Sequence, residues 1–541
     1  MKIRKTLAVL LVIALLAATF TACKKPAPPQ AKLKSVTWAL NGQPEVLDPA
    51  MSNYFRANMF MNTVFMGLFA IEKDGQISNV YAEDYTVSAD GTLWDIDIVP
   101  GAKWSDGVPL TAHDFEYGIK RMIDPKNASR AVASSFYLKN AESANKGEAS
   151  MDDVGIKATS DTHLCFELNG PYPFFQYLLC QANYFPARKD IIEEYSDDWT
   201  KSPETWIGNG PFKAVSIGEL EYTMVKNPNY ILANGVQIDE LKVVVMESME
   251  SHLASYRAGD IDVTDFLSGE AIREYRDSGE LGRSSRINLQ YFDFNHYEGP
   301  TADVRVRKAL SMAVDRNLII TRILEMDHRP AFGVVPYGMP SLTNPSRQFR
   351  DIAGDRFKED VAEARRLLAE AGYPGGAGMP VLRFYTMNNQ VDTDSAQAIQ
   401  SMWKENLGVE CEITVFDSRA YWAEQPNLQN YDFFRDSWNS SYPDPAGILL
   451  VWEWVRQRYE SGWRNDEFER QMAIQAATAD PKIREDAFLQ IEKIIMDEMV
   501  IFPYYFMVDF LLTKPHIGGI YKTPGGWIMF NKVRLFQNFS F

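Results

Sequence analysis

Apolar and polar residues alternate with period two in several short stretches of the chain. In Leu93-Trp94-Asp95-Ile96-Asp97-Ile98 the apolar Trp94, Ile96 and Ile98 are interleaved with acids, and Leu164, Phe166, Leu168 and Ile287, Leu289, Tyr291 repeat the pattern. Successive side chains of a strand point to opposite faces, so each stretch predicts a half-buried β-strand. Leu241 to Met246 is almost continuously apolar and predicts a strand buried on both faces. Elsewhere the period lengthens to 3.6. Val361, Ala364, Leu368 and Ala371 share one helical face, with Gly372 and Pro374 as the stop. Val306, Leu310, Ala313, Ile320 and Leu324 predict a second helix. Ala487, Phe488, Ile491, Ile494 and Ile495 predict a third, running into a strand at Val500 to Val508. Strands and helices interleaved throughout predict an α/β fold with mixed α+β elements. The Gly/Pro clusters Gly208-Asn209-Gly210-Pro211 and Pro374 to Gly378 read as turns within domains.

The first residues break this pattern. Lys2, Arg4 and Lys5 precede a 14-residue apolar run, Leu7 to Phe20, that ends at Thr21-Ala22-Cys23. A membrane-spanning helix needs about 20 apolar residues, so residues 1–22 predict a secretory signal instead. The small residue before Cys23 resembles the lipobox of bacterial lipoproteins, with Phe20 where leucine is usual. The resemblance implies lipidation of Cys23 and an extracytoplasmic protein anchored to the cell membrane. Residues 23–34, rich in proline and lysine, predict a solvated tether.

The 518 residues after Cys23 exceed what one hydrophobic core serves, so two or more lobes are expected. The formal charge is −17, and removing the signal takes away three basic residues and no acid, leaving about −20. Nucleic acid and anionic lipid surfaces favour basic partners, so neither is expected as a ligand. Beyond Cys23 the cysteines are Cys165, Cys180 and Cys411. At most one disulfide can form among them, Cys165–Cys180 being nearest in sequence, and buried free thiols are the simpler expectation.

The chain carries no His-Glu-x-x-His, no phosphate-binding loop, no paired cysteines at metal spacing and no Gly-x-Ser-x-Gly, and its six histidines are scattered singly. No catalysis, cofactor or metal is therefore expected. Aromatic residues are abundant, with 12 Trp, 25 Tyr and 31 Phe, as suits concave sites for small ligands. Asp436 to Pro445 combines aromatic, amide, hydroxyl and acidic groups in a loop.

Gly91 to Ile98 leads into Gly101-Ala102-Lys103-Trp104-Ser105-Asp106-Gly107 and then Pro109 to Tyr117. This run resembles the signature of the oligopeptide-binding proteins, the family 5 solute-binding components of ABC importers. Leu47-Asp48-Pro49, Gly208 to Phe212, Tyr256 to Asp262, Asp303 to Leu310 and Trp438 to Pro445 follow the family's order, so the resemblance spans nearly the whole mature chain. Lys103 to Tyr117 itself is structural: Asp106-Gly107 is a turn signal, and Thr111 with Asp114 predicts a helix N-cap.

The resemblance implies a periplasmic-binding-protein-like fold of two hinged lobes plus an extra family-specific domain. The first domain would comprise residues 35–65, 196–290 and 509–541, the second 66–195 and the third 291–508. A solute, by family habit a short peptide, would be enclosed between the first and third as they close and delivered to an ABC permease by a monomer. Peptide-binding members anchor the peptide's α-ammonium on an aspartate of the late loop, and that position here is Ser441. Losing such a partner costs on the order of 3–5 kcal/mol, so Asp436 or Asp444 substitutes, or the ligand lacks a free α-amine. Trp438 and Tyr442 match pocket-lining residues, and Arg435 an arginine that can meet a ligand carboxylate. Asn53 stands where the family has an acidic contact, with Tyr54 beside it. Phe136 and Tyr137 could reach the pocket, although core packing suits both. The alternatives within this frame are a non-peptide or amine-blocked solute, or a ligand-sensing receptor.

Overall fold

The computed structural model describes residues 34–424, 430–452 and 463–536. The expected leader, Cys23 and the tether up to residue 33 lie outside the described residues, as do residues 537–541 of the expected first domain.

One mixed sheet runs through most of the molecule. Its strands are β1 (Ser35–Asn41), β2 (Phe212–Ile217), β3 (Glu221–Lys226), β4 (Glu240–Met246), β5 (Val263–Thr264), β6 (Leu281–Phe294), β7 (Arg329–Pro330), β8 (Leu382–Met387), β9 (Cys411–Phe416), β10 (Phe433–Asn439) and β11 (Ile501–Thr513). The spatial order is β9-β8-β10-β6-β11-β5-β1-β4-β3-β2, with β7 also paired to β11. β1 lies parallel to β4 and β5, and β8 parallel to β9 and β10, while β6 and β11 run antiparallel at the centre. The latter two, 14 and 13 residues long, join the two halves.

Their pairing is interrupted twice. Ser285 faces Val508 and the next partners are Leu289 and Phe506; a second shift follows at Gln290/Tyr291, opposite Tyr505 and Pro503. Proline cannot donate to a ladder and bulges bend a strand, so the sheet changes direction here. The Val508 N–H donates to Nδ1 of His328 at 3.2 Å.

The short-period stretches form strands as read, except that Ile287 to Tyr291 is buried on both faces, with Asn288 and Gln290 each 5% exposed. In the strand Leu93–Ile98, Trp94, Ile96 and Ile98 are buried and the residues between them exposed. This strand belongs to a separate four-stranded antiparallel sheet with Ala82–Val87, His163–Glu167 and Ile156–Ser160, backed by the helix Ala112–Ile123. Thr111 and Asp114 form the capping box that starts this helix. Gly208 and Gly210 are required by close approach: a Cβ on either would meet the Val64 carbonyl at 2.1 and 2.8 Å.

Two expectations change. β4 is fully buried only at Leu241 and Val243; Val244 and Met246 face a smaller cluster around Leu253 and Tyr256 that covers them in part. The helix expected from Val306 to Leu324 ends at Met312 and restarts at Arg316. There the Asp315 side chain accepts from Leu318 N–H, and the buried Arg316 guanidinium takes up the Ser311, Val314 and Pro503 carbonyls. Cys165, Cys180 and Cys411 are free thiols.

Candidate ligand cleft

Two cavities meet where β6 and β11 lose register. They share Phe55 and Arg286 as a common wall. The helix Phe55–Met61 presents Phe55 and Asn58 to the first cavity and Phe55 and Met59 to the second, since residues three and four apart share a helical face.

The first cavity, of about 420 Å³, is polar. Asn53, Asn58, Gln181, Asn183, Asn439 and Ser441 line it with Trp527, Arg130 and Arg286, and no carboxylate is among its lining residues. Arg130 is exposed and lies over the Tyr54 ring, 5.4 Å from its centroid. Arg286 lies over Phe55 at 4.9 Å and donates from Nε to Asn439 Oδ1 at 2.8 Å.

The second cavity, of about 460 Å³, is lined by Met59, Met249, Met326, Met507, Phe266 and Phe510. Its charges are balanced. Lys522 lies 3.0 Å from Asp265 and 3.3 Å from Asp509, Asp509 also pairs with Arg286 at 3.4 Å, and Arg56 pairs with Glu45 at 3.6 Å. His328 stacks on Tyr505 with ring centroids 4.7 Å apart, and burial pushes its pKa down to about 4. The imidazole is therefore neutral at pH 7 and accepts the Val508 N–H.

The residues singled out from sequence divide. Asn53 and Ser441 line the first cavity, and Tyr54 supports Arg130 at its edge. Trp438 donates from Nε1 to Gly447 O at 2.8 Å and braces the loop that carries Ser441. Tyr442 stacks on Phe174 at 5.0 Å, joining that loop to the segment 171–179. Tyr137 belongs to the same aromatic group, 4.9 Å from Tyr172 and 5.3 Å from Phe174. Phe136, half-buried, packs against the core and gives its carbonyl to Asn169.

Arg435, Asp436 and Asp444 line neither of these two cavities. Arg435 Nε pairs with Asp392 at 2.7 Å inside the third segment. Asp436 lies beside the half-buried Asp293 and accepts from the Tyr291 hydroxyl at 3.2 Å; desolvation, and the like charge of Asp436, push the Asp293 carboxyl above the carboxylate range. Asp444 is held by both terminal nitrogens of Arg484, each at 3.0 Å. Both acids thus have partners within the protein.

Sequence reasoning missed Arg130, Arg286, Asp509 and Lys522. No motif marks them, and they come together from positions up to 392 residues apart. It also missed Asp95, His163 and Cys165, whose donor atoms lie within 4.8 Å of one another through cross-strand pairing; burial raises the Cys165 thiol to about 11.

The fold and sequence have counterparts among known proteins. Residues 76–454 match the model of the bacterial extracellular solute-binding proteins, family 5 middle. The oligopeptide-binding protein OppA of Bacillus subtilis is 29% identical over 495 residues, 90% of each chain. The probable deoxycholate-binding periplasmic protein YgiS of Escherichia coli is 30% identical over 486 residues, 88% of this chain and 89% of that one. Among solved structures, the unliganded open form of the periplasmic murein tripeptide-binding protein MppA superposes with a TM-score of 0.79 at 27% identity, covering 93% of this chain and 98% of that one. Fold and sequence agree over almost the full described length: the chain belongs to the bacterial extracellular solute-binding proteins of family 5.

Proposed function

We propose that this protein captures a peptide or peptide-like solute outside the cytoplasmic membrane and hands it to the permease of an ABC importer. The observation that carries this reading is the cleft itself, built where two long strands linking the halves of the sheet lose register. A bulged, two-strand connection is a natural hinge, and a ligand contacting both sides favours the closed state by its differential affinity. Arg286 spans the junction, bonded to Asn439 on β10 and paired with Asp509 on β11. The names of the relatives support a peptide-like ligand, since they are called binders of oligopeptides and of a murein tripeptide. The protein acts as a monomer, and Cys23 carries the lipid that holds it at the membrane.

Native mass spectrometry of the purified protein, with calorimetry against tri- to pentapeptides of varied termini, tests the reading. A retained or added mass that competes with peptide is expected; a protein that retains no solute and takes up none of the peptides refutes it. Labelling with radioactive palmitate should mark the wild type and spare C23S.

A further inference from the structure

Of the two cavities, only the first leaves a charge without its opposite. Among the described residues no carboxylate lies within ion-pair distance of Arg130, whose one recorded contact is the Tyr54 face. Arg286 commits Nε to Asn439 and Nη1 to Asp509, and its Nη2 has no hydrogen-bond partner among the described residues. Tyr54 and Phe55, adjacent in sequence, thus each support one guanidinium, at 5.4 and 4.9 Å. Asn58, 8% exposed, also lines the cavity, and its side-chain amide has no hydrogen-bond partner among the described residues. The remaining polar lining is amide and hydroxyl, so no opposite charge there offsets a desolvated cation.

We propose that this cavity receives a carboxylate of the solute, clamped between Arg130 and Arg286, and that an ammonium is rejected there. The proposal rests on the solute-capture reading and names the chemistry of the ligand's end within that site. A guanidinium meets a carboxylate through two parallel N–H···O bonds, and with no acid in the lining the exposed Arg130 and the part-buried Arg286 favour an anion over a cation. Arg130 and Asn183 come from the segment 130–183, Arg286 and Asn439 from the two paired strands β6 and β10. The carboxylate would therefore tie three parts of the chain together as the cleft closes.

The test uses four forms of the tripeptide Ala-Phe-Ala with the whole mature protein in calorimetry. One carries a free amine and a C-terminal amide, one is acetylated and amidated, one is acetylated with a free carboxylate, and one is succinylated and amidated. The last two show which end of a peptide supplies the anion, and laurate serves as a carboxylate without peptide bonds. At least one carboxylate-bearing peptide should bind about tenfold or more tighter than the neutral one, with the cationic form weakest. R130Q, at an exposed position, should fold with an unchanged melting temperature and erase that advantage while sparing the neutral peptide. Equal or tighter binding of the cationic peptide, or carboxylate binding unaffected by R130Q, overturns the proposal. If no peptide binds, the peptide reading falls by itself. Laurate then decides the carboxylate claim, which survives only if laurate binds the wild type and loses affinity in R130Q.

Discussion

The two cavities share a wall and differ in how they treat charge. The Met- and Phe-lined one contains three acids and three permanent cations, all paired within the protein before any ligand arrives. The amide-rich one shares Arg286 and adds Arg130, which has no acid within ion-pair distance among the described residues. A desolvated charge with its partner in place contributes to the fold and little to selectivity, whereas one lacking a partner waits for a ligand. On the proposed reading, the balanced end would hold the strand junction together and the unbalanced end would set which solute is bound.

Breaking the balanced end should have the largest effect. Lys522 is 5% exposed and stands between Asp265 and Asp509. K522M leaves two acids facing one arginine and should destabilise the fold by about 3–5 kcal/mol, read by urea denaturation with m unchanged. At the other end S441D supplies the missing carboxylate. The free-amine, amidated tripeptide should gain about tenfold or more in affinity and carboxylate-bearing forms should lose it, read by calorimetry; unchanged order would show that Ser441 does not set the preference.

Acid separates the ends again. His328 titrates near 6.5 when unfolded and at about 4 in the balanced cavity, so its contribution is complete above pH 6.5. That contribution is lost as pH falls from 6.5 through 4. The loss should be on the order of 3 kcal/mol, seen as a steeper fall in stability for wild type than for H328Q. The polar cavity has only arginines as ionisable lining groups, so R130Q should leave this slope unchanged. The smallest effect is expected at Asn58, whose buried Oδ1 has no hydrogen-bond partner. N58L should stabilise the ligand-free protein by about 1 kcal/mol in thermal melts and weaken solute binding, the mark of a polar group kept for a ligand.

The candidate site was legible only in part. The loop from Trp438 to Pro445 stood out by composition, and Ser441 and Asn53, its departures from the family pattern, do line the polar cavity. Asp436 and Asp444 looked equally available, because sequence spacing does not reveal that Asp293, 143 residues earlier, and Arg484, 40 residues later, already occupy them. Arg130 carries no signal at all: it follows a serine in an unremarkable loop, and its meaning depends on Tyr54 beneath it and on the acids missing around it.

The sequence by itself determined the mixed α/β class, the alternating strand Leu93–Ile98, the capped helix Ala112–Ile123 and the membership of the family. These follow from interactions within a few residues, or from a pattern that is itself linear. Only the tertiary structure decided where the helix after Val304 breaks, that β4 is fully buried on one face and partly covered on the other, and which charges meet in the cleft. Electrostatic partners are chosen by distance through space, and the sheet brings residue 130 to residue 286, and residue 522 to residue 265, with nothing along the chain to announce it.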